Sequence, residues 1–189
     1  MTVKSKLLGN NTDRIPDLAF RAMSFLFIIW GIFAAPMKKL SKFGIKEGNT
    51  VIDFGCGPGN YIKAASQLSG NNGIVYAADV HELAMKAVNK KIKKYDLKNV
   101  KTVLVKNYKC ELEDNIADVI YALDMFHMVK EPDLFLQELH RLLKKNGKLF
   151  IEDGHQPREQ SKRKIINSKK WSISEETKGW LVGIPLKSV

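Results

Sequence analysis

The stretch Val51-Ile52-Asp53-Phe54-Gly55-Cys56-Gly57-Pro58-Gly59 is an apolar run that ends in glycine at every second position, and a helical pattern opens directly after it at Asn60. Few folds can use a strand, a glycine turn and a helix in that order. Glycine permits backbone angles closed to other residues and lets a ligand lie against the main chain, while the following helix offers free N–H groups and a positive dipole end. A ligand is therefore expected at this edge of a parallel sheet. The dinucleotide fingerprint needs its third glycine three residues after the second, and Asn60 stands there, so a pyrophosphate is the poorer match. Asp79 ends the next apolar run, 20 residues after Gly59, where a carboxylate can accept both hydrogen bonds of a ribose 2′,3′-diol. By itself Asp79 could equally cap a helix, and His81 and Glu82 could be surface residues. Turn and acid together specify a ligand that contains a nucleoside.

Around this unit the chain alternates. Predicted strands cover 50–54, 73–78, 101–106, 117–123 and 148–152, and predicted helices cover 60–69, 81–95 and a stretch from Pro132 that Gly147 stops. Strands joined by helices run parallel, so the expected fold class is α/β with helices on both faces of one sheet. Beyond Pro157 a Lys- and Arg-rich helix precedes two strand-like runs, Trp171 to Glu175 and Trp180 to Leu186; this hairpin predicts one antiparallel strand at the end of the sheet. With 189 residues, 44% of them hydrophobic, the chain is sized for one domain, read as an N-terminal helical cap over 1–42 and a ligand-binding part over 43–189. Its two cysteines, Cys56 and Cys110, make neither a disulfide framework nor a four-cysteine zinc site and fit a reducing, cytoplasmic setting.

No charge interrupts Ala22 to Met37, and Phe25, Phe27, Ile29, Trp30 and Phe33 would face every side of a helix begun at Ile15-Pro16-Asp17. Such a helix must be buried or reach lipid. It falls short of the roughly 20 apolar residues of a bilayer span, contains Gly31 and closes at Pro36. It is read as a lid or core helix, with contact to a membrane surface as the alternative. A secretory signal is disfavoured, because Lys38-Lys39 follows without a small-residue cleavage site. The net charge of +11 raises nucleic acid as a partner, yet only five of the 31 basic residues are arginine, and base recognition favours the guanidinium. A solvated basic surface is the simpler reading.

These residues resemble the class I S-adenosylmethionine-dependent methyltransferases. Asp53 to Gly59 matches the family's first motif and Asp79 its ribose-binding acid; Ala117 to Val129 and Asp133 to Leu149 are similar to the fourth strand, following helix and fifth strand of its small-molecule members. The resemblance covers residues 40–187 and implies a Rossmann-like sheet of seven strands in the order 3-2-1-4-5-7-6, the seventh antiparallel. It implies S-adenosyl-L-methionine as cofactor, with the methionine end near Asp53, Gly55, Cys56 and Gly57, Gly59 completing the motif, and the ribose on Asp79. The adenine edge falls near Val80 and the Lys106-Asn107 pair, and Leu123 and Asp124 border the sulfonium. Many members carry an acid after the third strand; Asn107 stands in its place here, and its side-chain oxygen can accept the same bond from the adenine amino group.

A sulfonium methyl is already electrophilic, so transfer mainly needs the acceptor held in line, which can supply roughly 7 to 11 kcal/mol. For a phenol or alcohol a base helps, and Asp124, His127 and His155 are the catalytic candidates, with Asp153 beside them. Each histidine could also simply pack or cap. No metal site is expected, since these residues lack helical His spacing or a paired-acid motif. Ala122-Leu123-Asp124-Met125 departs from the Asn/Asp-Pro-Pro-aromatic sequence of exocyclic-amine methylation, and one cysteine outside the turn is too few for arsenite. The expected acceptor is a small apolar or amphiphilic molecule. The alternatives are an RNA methyltransferase using the lysines of 86–94 and 161–170, and a non-catalytic cofactor-binding module.

Overall fold

The computed structural model describes residues 14–22, 24 and 35–186. One sheet holds β1 (Thr50–Phe54), β2 (Ile74–Asp79), β3 (Val100–Leu104), β4 (Ala117–Ala122), β5 (Leu143–Ile151), β6 (Trp171–Glu176) and β7 (Leu181–Pro185), in the spatial order β3-β2-β1-β4-β5-β7-β6. The first five strands pair in parallel, and β7 runs antiparallel to both β5 and β6. The expected α/β class, strand order and reversed last strand are therefore all present. Because the chain leaves β1 toward β2 on one side and returns to β4 on the other, a crevice opens at the carboxyl ends of these strands.

The faces are covered by helices that include α1 (Pro36–Leu40), α2 (Ile62–Ser69), α3 (Glu82–Tyr95), α4 (Pro132–Leu142) and α5 (Arg158–Asn167). Alternation along β1 divides the core. Ile52 and Phe54 pack in the layer of Leu136, Leu139 and Ile165, whereas Val51 packs in the layer of Ile62, Ala65 and Val88. Leu40 and Phe43 are buried in this second layer, and Phe43 stacks on Phe150 with ring centroids 4.1 Å apart. From Leu40 onward the chain is thus part of the sheet's own packing. Of the N-terminal apolar helix, residues 17–22 and 24 are helical, and the run from Phe25 to Phe33 lies outside the described residues. Among the described residues no helix is long and apolar enough to cross a membrane.

Two differences from the predicted element boundaries have a clear physical cause. The helix from Pro132 ends at Leu142, and β5 begins at once with Leu143 opposite Ala117, so Gly147 lies inside a strand. Burial of Leu142 and Leu143 outweighs the local stop signal of the glycine. Gly147 is required for another reason: a Cβ there would stand 2.7 Å from the Leu143 side chain and 3.0 Å from the Asp118 carbonyl oxygen. β3 stops at Leu104, short of the predicted residue 106, because Lys106 and Lys109 exchange backbone hydrogen bonds of 2.9 Å around Asn107 and Tyr108, both at positive φ. Two left-handed residues in a reciprocal four-residue turn are the signature of a type I′ hairpin turn.

The loop after that turn is held by a buried acid. Glu138, 3% exposed on α4, accepts from the Cys110 backbone N–H at 3.0 Å and from Arg141, which also donates to the carbonyls of Cys110 and Leu112. Burial and the neighbouring Glu138 carboxylate push the Cys110 thiol up to about 12, so it is an inert packing group.

Candidate functional site

Each glycine of the turn has positive φ, at 81° for Gly55, 51° for Gly57 and 77° for Gly59, but each does so for a different reason. A Cβ on Gly55 would meet Met125 Cγ at 2.8 Å, and one on Gly59 would meet Val88 Cγ2 at 2.9 Å. These two glycines let the turn pack against its own protein. A Cβ on Gly57 would find nothing within 4 Å, so this position faces open space into which a ligand can lie against the main chain.

Two acids flank that space. Asp79, at the end of β2 and 9% exposed, accepts from the Gly57 N–H at 2.8 Å through Oδ2 and from the His81 N–H at 2.9 Å through Oδ1. Burial raises its pKa while these backbone donors oppose the rise, and each oxygen keeps a lone pair for a further donor. Asp53 is deeper, at 2% exposure, and its Oδ2 has no hydrogen-bond partner. Burial pushes its pKa up to about 8; the Tyr121 hydroxyl, at the paired position of β4, opposes the rise in part. The open face of Gly57 and the unpartnered Asp53 oxygen together fit a ligand that brings hydrogen-bond donors to the turn.

The cavity above has a volume of about 880 Å³. Asp53, Gly55, Cys56 and Gly57 line it at and beyond the end of β1, Asp79 and Val80 at the end of β2, Leu123 and Asp124 beyond β4, and His155 beyond β5. Gly59, Asn107 and His127 are not among its lining residues. Gly59 is turned toward α3, and the type I′ turn presents Tyr108 to the cavity in place of Asn107. His127 packs under the loop after β5, so closely that a Cβ on Gly154 would come within 1.9 Å of its Nδ1. Its ring meets His155 edge-on at 4.9 Å. Burial lowers the His127 pKa, with Asp124 opposing, and its Nδ1 has no hydrogen-bond partner. Asp124 holds φ at 53°, a strained backbone region in which Asp is tolerated and which recurs at functional sites.

Several groups on the wall escaped the sequence reading. Lys39 of α1 pairs with Glu152 after β5 and lies 3.4 Å from the Tyr61 hydroxyl, and all three side chains line the cavity. Nothing local in the sequence marks a pair drawn from opposite ends of the chain. The N-terminal helix, read from the sequence as a lid, contributes Phe20, with Ile15 just before it; the Phe20 ring packs tilted against His81 at 4.2 Å, and Arg14 bridges Asp17 and Glu82 at 2.7 and 3.1 Å. No group of three or more His, Cys, Asp or Glu able to hold a metal ion occurs among the described residues.

Known proteins share this arrangement. A family model described as a methyltransferase domain matches residues 45–182. A SAM-dependent methyltransferase from Aquifex aeolicus is 32% identical, with a TM-score of 0.70 over 79% of this chain and 87% of that one. A putative S-adenosyl-L-methionine-dependent methyltransferase from Methanococcus maripaludis, 18% identical, shares the fold with a TM-score of 0.76 over 96% and 98% of the two chains. The ubiquinone/menaquinone biosynthesis C-methyltransferase UbiE of Escherichia coli O1:K1 is 29% identical over 115 residues, 60% of this chain and 46% of that protein. The chain spans half or less of the length of the first curated relatives it matches. The glycine turn, the acid closing β2, the seven-stranded order and a family model covering most of the sequence agree: this chain belongs to the class I S-adenosylmethionine-dependent methyltransferases.

Proposed function

We propose that this chain binds S-adenosylmethionine over the glycine turn and transfers its methyl group to a small amphiphilic molecule lodged beyond β4 and β5. The observation that carries this reading is the two-sided wall of the cavity. Ile15, Phe20, Met125 and Met128 offer apolar surface, while Lys39, Asp124, Glu152 and Asp153 offer charge. A volume of about 880 Å³ lies near the top of the range of roughly 300 to 1,000 Å³ for ligand pockets, which suits a cofactor together with a second small molecule. The name of the Escherichia coli relative, a C-methyltransferase of ubiquinone/menaquinone biosynthesis, supports a small-molecule acceptor.

When bound, the cofactor supplies an electrophilic methyl group. Asp79 takes the ribose hydroxyls with the lone pairs left free by Gly57 and His81, and Asp53 with the turn takes the methionine end. Val80 and Tyr108 flank the adenine, Asn107 serving to aim Tyr108. Leu123 and Asp124 border the reacting centre. His155 removes a proton where the acceptor is a phenol or alcohol, and His127 braces the loop that carries it. Within the cap read over 1–42, Ile15 and Phe20 exclude water above the domain read over 43–189, and the apolar sequence from Ala22 to Met37 can touch a membrane surface to admit a lipophilic acceptor in the cytoplasm.

Calorimetry tests the site: S-adenosylmethionine and its demethylated product bind, and tighter binding of NAD overturns the reading. Mass spectrometry of cell extract incubated with methyl-labelled cofactor tests the acceptor. Label in small molecules supports this assignment, and label confined to RNA refutes it.

A further inference from the structure

α3 carries five lysines, Lys86, Lys90, Lys91, Lys93 and Lys94, yet one of them behaves unlike the others. Lys86, Lys90, Lys93 and Lys94 are exposed, whereas Lys91 is half-buried and turned inward. Its Nζ donates to the Gly59 carbonyl at 2.9 Å and lies 3.4 Å from Asn60 Oδ1. Its stem lies along the turn, with Cδ 3.7 Å from where a Cβ on Gly59 would stand. An aliphatic residue would pack there as well but would leave the Gly59 carbonyl without this donor.

We propose that Lys91 is a positioning residue for the methyl donor: it ties the glycine turn to α3 and stands a positive charge behind it, so that Asp53 can receive the donor's ammonium group. The inference rests on the reading of Asp53 as the methionine-end receptor. Asp53 faces Tyr121 from β4 and Asp79 from β2, with Cys56 and Tyr61 in and after the turn, and Lys91 is the cation that acts on it. Burial and Asp79 disfavour the ionised form of Asp53; Lys91 and Tyr121 favour it. Lys91 is itself depressed by burial and supported by Asp53 and Cys56, as expected of a charge whose partners lie beneath the turn.

The experiment compares the intact chain with Lys91→Met and Lys91→Arg, using S-adenosylhomocysteine and 5′-methylthioadenosine, which lacks the amino-acid end. Lys91→Met should weaken S-adenosylhomocysteine by about tenfold or more, the effect of one charge-assisted contact, and leave methylthioadenosine within about twofold. Lys91→Arg should restore most of the loss. Affinity of the unmodified chain for S-adenosylhomocysteine should rise with pH as Asp53 ionises near its raised value of about 8. In Lys91→Met that rise should move to higher pH, the ligand's own amine titrating alike in all three proteins. Equal weakening of both ligands, or an unmoved pH profile, overturns the proposal and leaves Lys91 as a structural tie. Failure of the unmodified chain to bind either nucleoside overturns the cofactor-site reading itself.

Discussion

Replacing Asp79 with alanine separates the acid's structural work from its binding work. In the folded chain Asp79 accepts from two backbone donors, Gly57 N–H at 2.8 Å and His81 N–H at 2.9 Å, at a position 9% exposed. Leaving a buried donor unsatisfied costs about 1 to 3 kcal/mol, but two opposing effects reduce the sum. Alanine also abolishes the desolvation that raises the Asp79 pKa, and the space it leaves borders the cavity and can admit water. A net destabilisation of about 2 kcal/mol follows, which for a domain of this size lowers Tm by roughly 4 to 8 °C without unfolding it. Binding should suffer more: two charge-assisted hydrogen bonds to the ribose diol, each worth about 1.5 to 3 kcal/mol, amount to at least a tenfold rise in Kd. Asp79→Asn keeps one good acceptor and should fall between. Thermal denaturation and calorimetry with S-adenosylhomocysteine read the two effects separately. A folded Asp79→Ala protein whose Kd equals that of the unmodified chain refutes the ribose assignment, whatever happens to its Tm.

The glycines make a matched pair of tests. Gly57→Ala puts its Cβ in open space and bears only the left-handed backbone penalty of about 1 to 2 kcal/mol, so it should fold and lose cofactor affinity, while Gly55→Ala drives into Met125 and should lose more stability. Thermal denaturation ranks the two, and an order opposite to this contradicts the division of roles. Glu138→Gln should cost about 3 to 5 kcal/mol, because Arg141 and the Cys110 N–H lose a carboxylate that is buried to 3% exposure. Burial pushes Glu138 up, but its bonds to Arg141 and Cys110 together hold it below the usual value, so its stabilisation is present above about pH 4.5 and lost as pH falls through the lowered pKa. Urea unfolding at pH 7 and pH 3 should therefore bring the two proteins closer together in acid, and a constant gap would count against the buried pair.

The legible parts of this chain are those set by local rules. Asp53 to Gly59 and Asp79 were readable because a strand, a glycine turn and a helix impose residue types at fixed spacing, and the structure brings all of them except Gly59 to one cavity edge. Misread boundaries have physical causes. Gly147 carries a helix-stop signal that pairing of Leu143 with Ala117 overrides, and Asn107-Tyr108 makes a left-handed turn without the Asn-Gly pair that announces one. Lys39 with Glu152 is a tertiary pairing without sequence period, and Lys91 was hidden within a lysine-rich helix whose other members are solvated. Side chains that converge from separate elements leave no local trace; only topology brings them together.

How residues 14–22 are attached follows from the unequal strength of their contacts. Residues 14–22 touch the domain through an exposed ion pair, Arg14 with Glu82, through Asp17, whose carboxylate lies 3.5 Å from His81 Nε2, and through Phe20, which is 4% exposed and packs tilted against the His81 ring. An exposed pair contributes about 0 to 1 kcal/mol, whereas burying a phenylalanine contributes about 1.5 to 3 kcal/mol, so Phe20 is the anchor. If the segment docks as a lid, Phe20→Ala removes that anchoring and leaves the sheet's core, which includes Leu40 and Phe43 but not Phe20, unchanged. The expected result is release of S-adenosylhomocysteine faster by about 10- to 150-fold in stopped flow, with Tm lowered by less than about 2 °C. Glu82→Gln should change the release rate by about threefold at most. Should Phe20→Ala leave release unaltered while lowering Tm in proportion to a core deletion, residues 14–22 are a fixed part of the domain, and access to the cavity must open elsewhere.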